Sequence, residues 1–278
     1  MDFWQALLLG VVEGITEFLP VSSTGHLTIV EKLLGLSVDD PGVTAFTAVI
    51  QVGAIIASIV YFRADIVRLA VAWFRGLGNA DARQAPDYRM AWLVIAGSIP
   101  IGVIGLLARH LITGAFRSLW VVVVGLVVWS VVMVLAERFG RQDRGEKSLT
   151  LTDSLVVGLV QCISLVPGVS RSGATISAGL FRGLDRVSAT RLSFFLAIPA
   201  LTAAGIFEAV GSADDIASSV GWGPTIAATV VSLVVALAAI AWLLRLVARF
   251  PISIFVGYRL LVAAVVAVLL LTGVVAAR

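Results

Sequence analysis

A single cysteine, Cys162, stands in 278 residues, which excludes an internal disulfide and a thiolate metal site. Charge is scarce as well: Asp, Glu, Lys and Arg make up 13% of the chain. No basic stretch precedes the first apolar run and no cleavage site follows it. A signal peptide is therefore not expected, and the first hydrophobic segment is predicted to be retained. Low-complexity tracts are missing too. What remains is apolar, with 59% hydrophobic residues and a mean hydropathy of +1.04. Its runs of about twenty residues match a hydrocarbon core of roughly 30 Å. These features exclude a soluble domain and predict an all-α integral membrane protein. The net charge of +3 comes from loop arginines, so it bears on orientation and not on nucleic acid.

Spanning segments are expected near 43–62, 90–108, 118–137, 192–210, 223–244 and 252–275. Two further apolar regions, about 3–36 and 151–184, are interrupted midway by Pro20-Val21-Ser22-Ser23-Thr24-Gly25-His26 and Pro167-Gly168-Val169-Ser170-Arg171-Ser172-Gly173. Pro, Gly and consecutive Ser/Thr end one helix and cap the next. Each region is therefore predicted to be a re-entrant hairpin that enters and leaves on one side. With both termini outside, inner loops hold 14 Lys and Arg, and outer positions hold only Lys32, Arg109, Arg117 and Arg278. Counting either broken region as one span spoils this bias, so the hairpin reading is preferred. The loop near 63–90 sets Ile66, Val67, Leu69, Ala70, Trp73 and Phe74 beside arginines, and part of it is expected in the interface.

The two polar strings are copies of each other. A shift of 148 residues pairs Gly10 with Gly158, Glu13 with Gln161, Thr16 with Ser164, Ser22 with Ser170 and Gly25 with Gly173. The chain reads as a single membrane domain of two repeats, 1–148 and 149–278. Three crossings per repeat make the second copy inverted, with the hairpin tips able to meet near the midplane. Cys162 aligns with Gly14 and reads as a small packing residue, and Gly10 with Gly14 forms a small-xxx-small face suited to helix packing.

Helix starts present free N–H groups and the positive end of a dipole, so two facing tips make an anion site. Arg171 adds a planar fork suited to phosphate oxygens. Ser22, Thr24, Gly25, Ser170, Ser172 and Gly173 are candidate contacts to such an anion. Ser22, Ser170 and Ser172 serve equally well as caps, Thr24 as structure, and the glycines as turns. Glu13 and Glu17, four apart, share a helix face. Two carboxylates beside an anion site conflict unless a divalent cation, Mg²⁺ or Ca²⁺, lies between them, so both are candidate metal ligands. Ser23 and His26, three apart, form a candidate nucleophile and base, with water as the alternative attacker. Where the first copy has Glu17, Ser23 and His26, the second has Leu165, Arg171 and Ala174. Arg171 is expected to pair with the ligand or with Glu17. Gln51 reads as a packing or hydrogen-bonding residue, and Arg259 as one that snorkels to the inner surface.

The string Glu13-Gly14-Ile15-Thr16-Glu17-Phe18-Leu19-Pro20-Val21-Ser22-Ser23-Thr24-Gly25-His26, together with Pro167-Gly168-Val169-Ser170-Arg171-Ser172-Gly173-Ala174-Thr175, resembles the undecaprenyl-diphosphate phosphatases of the bacitracin-resistance type. The resemblance runs the full length. It implies hydrolysis of undecaprenyl diphosphate to undecaprenyl phosphate and phosphate at the outer face of the bacterial plasma membrane, which recycles the lipid carrier. By motif match, Glu13, Glu17, Ser23, His26 and Arg171 take the functional roles, with the polyprenyl diphosphate lipid and the bilayer as partners and a homodimer left open. The rival readings are a polyprenyl-phosphate translocase, which needs no Ser–His pair, and a lipid sensor, for which no signalling domain is visible.

Overall fold

The computed structural model describes residues 1–38, 40–107, 118–211 and 213–277. Among them the chain forms α1 (Phe3–Thr16), α2 (Ser23–Leu33), α3 (Pro41–Tyr61), α4 (Arg63–Gly78), α5 (Pro86–Leu107) and α6 (Leu119–Phe139). There follow α7 (Leu151–Gln161), α8 (Arg171–Phe181), α9 (Arg186–Gly211), α10 (Ala213–Ser218), α11 (Trp222–Val247) and α12 (Ile254–Leu271). Six of these, α3, α5, α6, α9, α11 and α12, are long and apolar enough to cross a membrane. They fall where hydropathy placed the spans. Of the charges assigned to the outer side, Arg109, Arg117 and Arg278 lie outside the described residues.

Both interrupted regions break as expected. The first starts on a capping box between Asp2 and Gln5 and loses its helix after Thr16; α2 then restarts on Ser22 as N-cap. The second starts on a capping box between Thr150 and Asp153. It passes through a 3₁₀ turn at Cys162–Leu165, and α8 restarts on Ser170. Ser22 and Ser170 hold φ of 76° and 75°, a left-handed conformation that costs a non-glycine residue about 1–3 kcal/mol. Counterpart residues thus carry the same strain.

The broken regions pack against the spanning helices. Helix α11 lies along α1 and α3, α7 lies along α5, and α8 sits against α6 and α9. Close approach requires glycine: a Cβ on Gly10 would come within 2.5 Å of the Ala228 carbonyl oxygen, and one on Gly158 within 2.0 Å of that of Gly97. Gly14 likewise faces Ser232 and Val235, as a packing face should. Phe18, Phe62 and Phe194 pack as tilted rings in the core, with centroids 5.1 Å (Phe18–Phe194) and 5.3 Å (Phe62–Phe194) apart. Phe18 therefore anchors the end of the first half-helix against α9. At the opposite end, fully buried Asp153 holds Arg144 at 2.6 Å and Arg182 at 2.7 Å. Helix α4 exposes Val67, Val71, Phe74 and Leu77 beside Arg63 and Arg75. Its Asp65 ties it to Arg191 of α9 at 3.2 Å. Burial pushes the Asp65 carboxyl up, but hydrogen bonds from Arg68 and Arg191 outweigh it and hold the group below its ordinary value.

Candidate active site

The two strings meet through their caps. Ser22 Oγ accepts from the Gly25 amide at 3.3 Å within its own helix and from the Gly168 amide at 3.0 Å in the other string. Ser170 Oγ accepts from the Gly173 amide at 3.2 Å and donates to the Leu19 carbonyl at 3.4 Å. Counterpart serines thus reach across in both directions. The third amides of both helices are consumed by the caps, and the amides of Ser23, Thr24, Arg171 and Ser172 have no acceptor within their helices.

Glu17 is the hub at this junction. Its Oε1 accepts from Arg171 at 3.1 Å, and its Oε2 accepts from Ser23 Oγ at 2.7 Å and Gln51 Nε2 at 3.1 Å. Arg171 also reaches the Glu17 and Ser193 carbonyls, and its guanidinium stacks over Phe18. Its Nε is buried without a partner. Glu17 is buried, Ser23 is half-buried and Thr24 is exposed, so the junction opens past Ser23. Both carboxylates lie at the C-terminal end of α1, where the helix dipole disfavours negative charge. The sequence therefore accepts a local cost to keep them there.

His26 lies three residues after Ser23, in the first turns of α2. Its Nδ1 lies 2.8 Å from the Ser22 carbonyl and its Nε2 lies 2.7 Å from the Tyr258 hydroxyl. A carbonyl only accepts, so Nδ1 carries a proton, and in neutral imidazole Nε2 is the lone pair that Tyr258 donates to.

Among the described residues no three His, Cys, Asp or Glu side chains converge as a metal cluster. Glu13, however, is buried with neither carboxylate oxygen hydrogen-bonded, within electrostatic range of Glu17 and Arg171. Carboxyl oxygens without donors would fit a hard divalent cation whose remaining ligands are phosphate oxygens and water. Glu17, with both oxygens engaged, fits less well than Glu13.

The family model for the bacitracin resistance protein BacA matches residues 6–265. The chain belongs to the BacA family. A protein of Frankia casuarinae named undecaprenyl-diphosphatase 3 is 57% identical over 277 residues, covering 100% of both chains. Proteins named undecaprenyl-diphosphatase from Cutibacterium acnes and Acidothermus cellulolyticus are 55% identical over 284 residues and 56% over 278, covering 99% or more of each chain.

In this BacA chain, then, Glu17, Ser22, Ser23, Ser170 and Arg171 come together as the pattern of residues suggested, and Ser172 joins through Ser170 at 3.1 Å. Three expectations differ from the structure. Ser23 donates to Glu17 and not to His26, because His26 turns its Nδ1 back onto the carbonyl four residues earlier. Gly25 and Gly173 spend their amides on the caps. Arg259 does not snorkel: it is fully buried and bonds to Ser130 Oγ and to the carbonyls of Pro20, Gly125, Leu126 and Gly168. Tyr258 and Ser193 carried no sequence signal; they enter only through helix packing.

Proposed function

We propose that this chain hydrolyses undecaprenyl diphosphate to undecaprenyl phosphate and inorganic phosphate, recycling the lipid carrier for envelope synthesis and conferring bacitracin resistance. The observation that carries the reading is the Glu17 carboxylate, which holds the Ser23 hydroxyl and the Arg171 guanidinium together between two helix starts. The names and full-length identity of the relatives support the same substrate.

In this reading the terminal phosphate sits over Ser23, Thr24, Arg171 and Ser172, whose amides and guanidinium take its charge. Ser23 Oγ attacks phosphorus, and its proton passes to Glu17 Oε2. The bond from phosphorus to the bridging oxygen breaks, and undecaprenyl phosphate leaves with the electron pair. Water then cleaves the phosphoserine, releasing inorganic phosphate and returning the proton to Ser23. His26 Nε2 orients that water once the phenol of Tyr258 is displaced. Glu13, with Glu17 as neighbour, would hold a divalent cation, Mg²⁺ or Ca²⁺, which when bound supplies charge neutralisation at the phosphate oxygens.

The architecture belongs to the same proposal: regions 3–36 and 151–184 as re-entrant hairpins, 1–148 and 149–278 as inverted repeats, both termini outside and the site open to the outer face. Reciprocal packing supports it, since α1 lies on α11 of the second repeat and α7 on α5 of the first. A translocase or a lipid sensor would need no serine bonded to a carboxylate. The test is a phosphate-release assay on purified protein in detergent with undecaprenyl diphosphate, with and without chelator. Release that stops on chelation and returns with Mg²⁺ or Ca²⁺ is expected; transfer of lipid between leaflets without phosphate release would sink the reading.

A further inference from the structure

Among the described residues Arg259 is the largest fully buried side chain. Among the described residues no carboxylate lies within ion-pair distance of it. Its Nη1 donates to the Pro20 carbonyl at 2.8 Å, and its Nη2 to the Gly168 carbonyl at 2.9 Å. Those two residues are counterparts under the 148-residue shift, and each lies two positions before its helix cap, Ser22 or Ser170. One guanidinium from α12 thus grips the same atom of both strings. Further donations go to the Leu126 carbonyl at 3.2 Å, the Gly125 carbonyl at 3.3 Å and Ser130 Oγ at 3.0 Å, all on α6. The fork can reach them because the second string lies backbone-on-backbone against α6. A Cβ on Gly125 would come within 2.5 Å of the Pro167 oxygen, and one on Gly168 within 2.3 Å of the Val122 oxygen.

A charged guanidinium with only neutral acceptors is costly to bury, and a hydrophobic side chain of similar volume would fill the space without that cost. The geometry points to a purpose: we propose that Arg259 is the positioning residue of the site, a clamp that fixes the two helix starts at one separation. Its uncompensated charge also lies behind the same N-termini that would receive the phosphate. The broken backbone on either side has lost its helical hydrogen bonds, and Arg259 supplies donors to the carbonyls so exposed. Neighbouring Tyr258, whose ring stacks on His26 at 5.5 Å, makes α12 a support for both sides of the site. This inference rests on the reading of the tips as the catalytic centre.

Arg259→Lys keeps the charge but cannot span both strings, and Arg259→Met keeps the bulk without donors. Hydrogen–deuterium exchange on the purified full-length variants should rise together in peptides covering 19–27 and 167–175, with α11 unchanged. Turnover number should fall by about 100-fold in Arg259→Lys, the size of effect a misplacement near 1 Å produces, and further in Arg259→Met. Ser130→Ala, which frees only Nε, should keep the fold and lose no more than about tenfold. Wild-type exchange at either tip, exchange raised evenly through the bundle, or wild-type turnover in Arg259→Lys would overturn the clamp. Tip-specific exchange in a protein whose wild type releases no phosphate would fault the phosphatase reading and leave the clamp standing.

Discussion

Replacing Glu17 by glutamine is expected to cut phosphate release by about 10²- to 10⁴-fold, the contribution of a positioned general base. Three groups depend on that carboxylate: Arg171, Ser23 and Gln51. Glutamine cannot take the Ser23 proton, and it leaves a guanidinium with 10% of its side chain exposed facing a neutral amide. Breaking one side of a buried ion pair costs about 3–5 kcal/mol, so the variant should also melt earlier. The two losses have different causes and can be separated. Adding Arg171→Met removes the stranded charge and should restore thermal stability, while the activity loss is read in Glu17→Gln alone, assayed below its melting temperature. Near-normal turnover by folded Glu17→Gln would mean that Glu17 acts only through folding.

Ser23→Ala should give the opposite profile: an activity loss of about 10³-fold or more with little change in melting temperature. Ser23 is half-buried and makes one side-chain hydrogen bond, so its removal opens no large cavity. Truncating a group that acts only in the transition state lowers kcat with KM nearly unchanged. Steady-state kinetics on purified protein test this, with the melting curve as control. If Ser23→Ala retains near-normal kcat, water is the attacking group and Glu17 its base, and Ser23 merely orders the carboxylate.

Much of this was written in the chain. The six spans follow from run length and hydropathy, and the cap serines from Ser/Thr after Pro or Gly, because these are local effects of backbone and solvent. The meeting of the tips followed from the repeat, since a costly polar string inside a membrane chain needs a partner. The partners that sequence reading missed are set by helix packing. Ser23 and His26 are neighbours on one helix, but the ring of His26 is held by its own backbone and by Tyr258, more than two hundred residues away. Arg259 lies early in an apolar helix, where hydropathy alone makes snorkelling the cheaper choice. Only the close approach of α6, permitted at Gly125 and Gly168, supplies enough carbonyls to hold it inside.

Helix N-termini from two halves of the chain, drawn together by their own caps, hold one carboxylate, one hydroxyl and one guanidinium as a unit. The most direct test is the time course of inorganic phosphate release from undecaprenyl diphosphate by purified wild type beside Arg171→Ala, at matched purity and confirmed fold. Many turnovers by wild type and none detectable by the variant are predicted. Equal rates, or no release by the wild type, would contradict the account.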